Sequence, residues 1–478
     1  MLFSSVTFLY WFLPLVVALY FIIPRPGGSL LWRNLLLFLA SIFFYAWGEP
    51  LYVFIMLAQA VVGWMAGLLI DRWRDKPYIR AVFVISLLLE LSFLLFFKYS
   101  DFFITNLNSL IHSQFALLAL ALPLGISFYT FQILSYLIDL YRGKVQVQKN
   151  LLVFATYVTL FAQLVAGPIV RYAMIEEQLT KRTHSLAVFV KGIRRFTIGL
   201  GKKVLLANTF GQLTVLAKAE VLTGGEQSIL FVILFLIGFS LQVYFDFSGY
   251  SDMAIGLGLM FGFNFPENFN YPYVSKSITE FWRRWHMTMS YWFRDYVYIA
   301  LGGNRVSKPR HLLNILIVWM ATGFWHGAGW NFIFWGLYMA LFLILEKYLL
   351  SRLLERLPGF ISHIYLLVVV MLSWILFESS DLGQIQVLFT TLIGLGTAGL
   401  SGIGSLYYLQ SYLPLIVIGA IGSTLLPVRA LAWFEKKTGQ AGQRALMVLE
   451  PLFVLTILIV VTAFLVDGSF NPFIYFRF

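Results

Sequence analysis

The chain has 478 residues, and none of them is cysteine. A disulfide framework, a thiol nucleophile and a thiolate metal site are therefore excluded. Charged side chains are also scarce, at 12% of the residues. The sequence has no internal repeat, no low-complexity tail and no loop long enough for a separate soluble domain. Whatever chemistry the protein performs must therefore take place within or at the surface of its apolar part.

Apolar residues dominate the composition: 60% of the chain is hydrophobic and 18% is aromatic. Many apolar runs approach or exceed the roughly 17–25 residues of a membrane-spanning helix, and they are too continuous for barrel strands. We therefore predict an all-α, polytopic integral membrane bundle with about 9–12 transmembrane helices plus re-entrant and interfacial helices, as one domain over residues 1–478. Residues 1–24 have no basic residue before their apolar run and predict a first transmembrane helix, not a cleaved signal.

The formal net charge is +12, and basic residues gather in segments 71–80, 181–203 and 276–310. By the positive-inside rule, these segments are expected on the cytoplasmic side of the membrane. Such an excess is typical of cytoplasmic loops in a membrane protein, so nucleic-acid binding is not expected.

One histidine lies in the middle of a stretch that should be membrane. His326 follows the apolar run 312–325 and precedes the run 331–345. At about 1.5 Å per residue, a helix starting at residue 312 would carry it roughly 20 Å into a layer ~30 Å thick. An ionisable group at that depth costs about 2.5 kcal/mol or more, which favours a functional role over a purely structural one. The flanking Gly327 and Gly329 predict a helix break at this point.

Residues 277–299 predict an amphipathic, interfacial helix that begins with the capping-box sequence Ser277-Ile-Thr-Glu280. At about 100° per residue, its large aromatic residues fall on one side. The opposite arc of roughly 80° holds the polar residues Arg283, His286, Ser290 and Arg294. This stripe has two interpretations: a solvated face toward the lipid headgroups, or a cytoplasmic entrance that attracts an anionic substrate such as a phosphorylated cofactor.

Two carboxylates, Asp246 and Asp252, interrupt the apolar run 228–265. They could pair with the arginines of segment 277–299, relay protons, or cap a helix break at Gly249. The serine and glycine residues between them favour the structural role. No second histidine or carboxylate follows His326 at a spacing of three or four residues, so no metal site is expected there.

A set of longer motifs carries a family resemblance over essentially the whole chain. The first two motifs are Val165-Ala-Gly-Pro-Ile-Val-Arg171 and Tyr244-Phe-Asp-Phe-Ser-Gly-Tyr-Ser-Asp-Met-Ala254. The others are Phe281-Trp-Arg-Arg-Trp-His286, Trp292-Phe-Arg-Asp-Tyr-Val-Tyr-Ile299, Leu301-Gly-Gly-Asn-Arg305 and Gly323-Phe-Trp-His-Gly-Ala328, with Met1-Leu-Phe-Ser-Ser5 and Phe473-Ile-Tyr-Phe476 near the ends. In these motifs the chain resembles the membrane-bound O-acyltransferases, and specifically their bacterial polysaccharide branch.

The resemblance implies O-acetyl transfer from a cytoplasmic thioester donor, acetyl-CoA, toward hydroxyls of an extracytoplasmic polysaccharide. It implies that His326 is the catalytic histidine and that His286 is a second site residue. It further implies no bound cofactor, a multi-pass location in the bacterial inner membrane, and a periplasmic or extracytoplasmic acetyltransferase as partner protein. The acceptor stays open between alginate or a similar exopolysaccharide, peptidoglycan and teichoic acid.

The residues suit that chemistry. A histidine can act as the base for an acceptor hydroxyl or can carry the acyl group, and desolvation favours the neutral form that both roles need. Backbone N–H groups freed at Gly327 and Gly329 could stabilise an oxyanion, and Arg283 and Arg294 would suit the phosphates of CoA. The rival hypothesis is a proton-coupled transporter that uses Asp246, Asp252 and His326, but no inverted repeat supports it.

Overall fold

The computed structural model describes residues 1–164 and 167–468, and within these ranges the chain forms helices and their connections, with no strand. The predicted all-α fold is thus confirmed. The first ten α-helices are α1 Leu13–Ile22, α2 Leu31–Ala46, α3 Val53–Arg72, α4 Ile79–Leu94, α5 Ser100–Ile111, α6 Ile126–Tyr141, α7 Leu151–Thr159, α8 Tyr172–Thr180, α9 Leu186–Gly201 and α10 Asn208–Leu222. The others are α11 Ile229–Met260, α12 Ile278–Trp282, α13 Met287–Phe293, α14 Lys308–His326, α15 Trp330–Leu345, α16 Ser351–Arg356, α17 Gly359–Glu378, α18 Leu382–Thr390, α19 Ile403–Gly422 and α20 Leu426–Val466.

Short stretches of other helix types extend or join these helices. The π-helical stretches are Phe8–Phe12, Leu95–Tyr99, Lys202–Ala207, Arg294–Tyr298, Glu346–Leu350 and Thr391–Leu395, and the 3₁₀ turns are Pro26–Gly28 and Pro272–Val274. The closing motif Phe473-Ile-Tyr-Phe476 and the first two residues of the motif at 165–171 lie outside the described residues.

Seven helical stretches of the described chain are long and apolar enough to cross a bilayer: Val53–Arg72, Ile79–Ile111, Ile229–Met260, Trp330–Arg356, Gly359–Glu378, Ile403–Gly422 and Leu426–Val466. Three further helical stretches of the described chain are apolar but shorter: Phe8–Ile22, Leu31–Ala46 and Leu382–Leu395. The chain is therefore a multi-pass membrane protein. Seven helical stretches of the described chain are long enough to span a bilayer, which is fewer than the about 9–12 transmembrane helices predicted from sequence.

The chain divides into two compact units. That residues 1–478 form one transmembrane domain stays a prediction. The first unit holds the described residues of Met1–Phe196 with Ser251–Glu267 and Arg294–Tyr296. Its centre is α6, in which 14 of 16 residues are buried. In this unit Asp252 pairs with Arg195 at 3.0 Å, and Arg195 also contacts Glu267.

The second unit holds Thr197–Tyr250, Asn268–Phe293 and the described residues from Val297 onward. In this unit Asp246 pairs with Lys203 at 2.8 Å, and both side chains are almost fully buried. Helix α11 runs unbroken through Gly249. The predictions that Asp246 and Asp252 pair with the arginines of segment 277–299, or cap a break, were therefore wrong. Their partners lie in the basic segment 181–203, because a buried carboxylate needs a nearby cation to offset its desolvation.

The hairpin of α14 and α15 depends on two glycines that face each other. A Cβ on Gly323 would lie well under 3.0 Å from the Phe332 carbonyl oxygen, and a Cβ on Gly336 would meet the Trp319 carbonyl oxygen in the same way. Small residues at such positions let two helix backbones approach closely, which is how helices associate inside lipid. This close approach fixes where α14 ends.

We expect Gly336→Ala to lower the free energy of unfolding by about 1–3 kcal/mol, because the methyl group would meet fixed backbone atoms. Gly422→Ala is the matched control: its Cβ would meet a Phe245 ring carbon at an ordinary 3.4 Å. The control should change stability by about 0.5 kcal/mol or less. Reversible unfolding in mixed micelles measures the free energy of unfolding of both variants. Equal losses in the two would contradict the role given to the close contact between α14 and α15.

Candidate active site

His326 is the last residue of α14. The chain leaves the helix at Gly327 in an extended conformation, and Gly329, the residue before α15, is extended as well. The sequence-predicted break is thus confirmed. The imidazole is 8% exposed and meets three aromatic rings edge-on, with centroid distances of 5.0 Å to Trp325, 5.2 Å to Trp335 and 5.4 Å to Phe377. The candidate base therefore lies in a largely apolar, water-poor surrounding.

His286 lies in the same unit and shares a neighbour with His326. Its ring centroid is 6.1 Å from that of Trp325 and 6.1 Å from that of Phe269. The side chain is 2% exposed, and its Nδ1 atom has no hydrogen-bond partner on another described residue. The rings of both predicted histidines thus contact the indole of Trp325.

The backbone at His286 corrects the prediction of one continuous helix over residues 277–299. His286 has φ +42°, in the left-handed region that a non-glycine residue seldom adopts, and it separates α12 from α13. The expected stripe with His286 on a solvated face was therefore wrong. The aromatic side of the segment is buried in the protein, with Phe281, Trp282, Trp285, Met289, Trp292 and Phe293 all in the core.

Asn268 supplies the hydrogen bonds that make this break stable. Its carbonyl accepts from the Met287 N–H at 2.9 Å, and its side-chain Oδ1 accepts from the Thr288 N–H at 3.1 Å and the Thr288 hydroxyl at 2.9 Å. These bonds satisfy the open N–H groups at the start of α13. Asn268 therefore fixes the turn that carries His286.

The start of α12 is held by one expected residue and one unexpected one. Ser277 caps the helix as predicted, since its hydroxyl accepts from the Glu280 N–H at 3.0 Å. The Glu280 carboxylate bonds the Lys276 N–H instead of closing the capping box. The buried Glu346 carboxylate accepts from the Ile278 N–H and, at 3.0 Å each, from the N–H and hydroxyl of Thr279.

Sequence reasoning missed both Asn268 and Glu346. Asn268 precedes the turn by 18 residues and resembles any loop asparagine. Glu346 did carry a signal, because a carboxylate at the end of a long apolar run is costly unless it has donors to bind. The donors lie 67 and 68 residues away in sequence.

Burial lowers the pKa of His286 to about 3. Below that value the ring would be protonated, so at neutral pH His286 is a neutral imidazole that carries an available lone pair. A neutral ring can accept a hydrogen bond as well as donate one, whereas an imidazolium could only donate.

The two arginines of the predicted donor entrance have different surroundings. Arg283, in the second unit, is exposed. Arg294 belongs to the first unit, where it bonds Asp295 at 2.7 Å, and Asp295 also bonds Arg171 at 2.8 Å. Burial acts to raise the pKa of Asp295, but the two guanidinium groups hold it below its usual value. Of the two arginines, Arg283 is therefore the one that forms no ion pair with a carboxylate of the described residues.

The two backbone groups considered as oxyanion donors also differ. The Gly327 N–H bonds the Gly323 carbonyl at 3.4 Å, as part of the end of α14. The Gly329 N–H has no partner among the described residues. Gly329 is thus the better candidate of the two.

We expect Asn268→Ala to lower the free energy of unfolding by about 1–3 kcal/mol, because it removes the side-chain oxygen that accepts from the N–H and the hydroxyl of the buried Thr288. Asn270→Ala is the matched control in the same loop, since its exposed side chain makes no hydrogen bond within the described residues. Thermal unfolding of the two variants measures the difference. Similar losses in both would show that Oδ1 of Asn268 does not hold the turn.

Comparison with known proteins identifies the family of the chain that carries this site. Residues 84–379 match the model of MBOAT, the membrane-bound O-acyltransferase family. The chain is 38% identical over 408 residues to the "Probable alginate O-acetylase AlgI" of Azotobacter vinelandii, covering 84% of this chain and 80% of that protein. It is 35% identical to the protein of the same description from Pseudomonas putida over the full length of both.

A third relative acts on a different polymer by its description. The chain is 33% identical to the "Peptidoglycan O-acetyltransferase" of Helicobacter pylori over 432 residues, covering 84% of this chain and 81% of that protein. Matches of this length and identity settle the class of protein but leave the acceptor to further argument. The chain belongs to the membrane-bound O-acyltransferase family and is a multi-pass membrane acyltransferase of the alginate O-acetylase type.

Proposed function

We propose that the protein transfers an acetyl group from acetyl-CoA on the cytoplasmic side toward hydroxyls of an extracytoplasmic polysaccharide, with His326 as the catalytic histidine. The observation that carries the proposal is the pair of buried histidines that share Trp325, one of them at a helix break. The polymer is alginate or a similar exopolysaccharide, an acceptor supported by the descriptions of the two alginate relatives.

The chemistry needs three things: a proton acceptor, a stabilised oxyanion and a leaving thiolate. If His326 acts as the base, it takes the proton of the acceptor hydroxyl while that oxygen attacks the thioester carbonyl carbon. The carbon–sulfur bond then breaks, and the thiolate receives the proton. If His326 carries the acyl group, its ring nitrogen attacks the thioester carbonyl carbon, the carbon–sulfur bond breaks, and the thiolate leaves with the ring proton. The acceptor hydroxyl then attacks the acyl-imidazole, the acyl–nitrogen bond breaks, and the hydroxyl proton returns to the ring.

The surroundings of His326 support either route. The rings of Trp325, Trp335 and Phe377 exclude water from the imidazole, which limits hydrolysis of the donor. The Gly329 N–H is a candidate donor to the developing oxyanion. His286 would bind the other partner of the reaction through its neutral ring.

A partner protein is part of the proposal. The described chain consists of membrane helices and short connections, so an extracytoplasmic acetyltransferase would complete the delivery to the polymer. The bacterial inner membrane is the location that fits a cytoplasmic donor and an external acceptor. Peptidoglycan is the second candidate acceptor, favoured by the relative from Helicobacter pylori.

We expect His326→Ala to abolish acetyl transfer while insertion into the membrane persists, because the proton acceptor or acyl carrier would be gone. The assay follows radiolabelled acetyl groups from acetyl-CoA to the polysaccharide with the purified protein. His363→Ala is the matched control, since within the described residues this histidine of the same unit bonds only the Ser275 carbonyl. Transfer by His326→Ala at the wild-type rate would refute the assignment.

A second prediction concerns the donor entrance. We expect Arg283→Glu to raise the half-saturating concentration of acetyl-CoA by about five- to tenfold, because the exposed cation would no longer attract its phosphates. Arg294→Glu is less informative, since it would also break the pairs with Asp295. Arg429→Glu, at another exposed position of the second unit, is the control. An unchanged half-saturating concentration of acetyl-CoA in Arg283→Glu would contradict the donor entrance and favour the interpretation that Arg283 faces the lipid headgroups.

A further inference from the structure

The first unit contains two buried guanidinium groups with no acidic partner. Arg33 is 6% exposed and Arg182 is 5% exposed. Arg182 donates to the Tyr20 hydroxyl, the Gln178 carbonyl and the Asn34 amide oxygen. Neither arginine forms an ion pair with a carboxylate in the described part of the chain.

Aromatic rings provide part of the compensation. The Arg33 guanidinium lies over the Tyr20 ring at 4.8 Å, and that of Arg182 lies over the Phe263 ring at 4.3 Å. The Arg33 guanidinium also lies 5.7 Å from the centroid of the Phe21 ring and donates two long hydrogen bonds, of 3.4 Å, to the Ile23 carbonyl. Buried charges in proteins are ordinarily paired, so this pair of cations lacks its counter-charge.

His184 connects these cations to a cavity. Its Nε2 atom lies 2.9 Å from the Tyr20 hydroxyl, the same hydroxyl that Arg182 bonds. Its Nδ1 atom is buried and makes no hydrogen bond within the described residues. Burial and the charges of Arg33 and Arg182 lower the pKa of His184 to about 4.

The cavity has a volume of about 350 Å³. Apart from His184 and Ser185 its lining is apolar, consisting of Phe21, Leu186, Phe189, Leu259 and Met260. Two of these, Phe21 and Leu186, are also largely exposed on the outer surface, as is the neighbouring Ile22. In a multi-pass membrane protein, such exposed apolar residues face lipid.

We propose that this place binds one anionic phospholipid, with its phosphodiester at Arg33 and His184 and an acyl chain in the apolar cavity. Charge complementarity favours an anionic headgroup, since the buried Arg33 and Arg182 form no ion pair with a carboxylate of the described residues. The apolar lining selects a ligand with a hydrocarbon part over a free phosphate ion. The site lies in the first unit and its role does not depend on the identity of the acyl donor or acceptor.

The test uses the full-length protein in nanodiscs of phosphatidylcholine with and without phosphatidylglycerol. Native mass spectrometry after mild delipidation counts the phosphatidylglycerol molecules that the protein retains. We expect wild-type protein to keep one, and Arg33→Gln to retain it about tenfold more weakly, the scale of one lost charge-assisted contact. Arg80→Gln is the matched control, because Arg80 is an exposed cation of the same unit.

Two further arms make each result decisive. Leu186→Trp should reduce retention by obstructing the cavity while the cations stay in place, and it serves if Arg33→Gln fails to fold. Inorganic phosphate in millimolar amounts should not displace the lipid. Retention unchanged in Arg33→Gln or in Leu186→Trp would overturn the proposal, as would displacement by inorganic phosphate, which would assign the site to a free anion.

Discussion

A helix that breaks inside apolar surroundings must find partners for the backbone groups it releases. Water is scarce there, and each open N–H or carbonyl costs free energy unless the protein itself supplies a bond. The segment that carries His286 meets this requirement twice, through Glu346 at the start of α12 and Asn268 at the start of α13. The position of the imidazole follows from these bonds.

The same requirement explains the left-handed conformation of His286. A residue other than glycine adopts φ +42° only where its surroundings over-determine it. Here the bonds to Asn268 fix the residue after the turn, while the buried Trp285 fixes the residue before it. Such strained residues cluster at functional sites, which fits the role inferred for His286.

Close packing and paired charge support the rest of the fold. The glycines at 323 and 336 bring α14 and α15 together, so that α14 ends with His326 among aromatic rings of its own unit. In the second unit Lys203 neutralises Asp246, and in the first Arg195 neutralises Asp252. Both carboxylates thus pair with a cation, Asp246 in an almost fully buried pair and Asp252 in a partly exposed one, and they are not the lone carboxylates that a proton-coupled carrier would use.

The sequence alone determined the class of the fold, because apolar runs of spanning length leave only a helical bundle. It also determined the helix break after His326, because glycines beside a costly buried histidine carry a strong local signal. The family motifs, which are local strings, pointed to the acyltransferase class. Each of these conclusions depends on residues that are neighbours in sequence.

The tertiary structure decided everything that depends on distant partners. Helical periodicity placed His286 on a solvated stripe, but Asn268 interrupts that periodicity and turns the ring into the core. The pairing of Asp246 with Lys203 follows from how helices pack, and so does the lack of an ion pair between Arg33 and any carboxylate of the described residues. A periodic pattern describes one helix in isolation, whereas a buried polar group takes whichever partner the fold brings within reach.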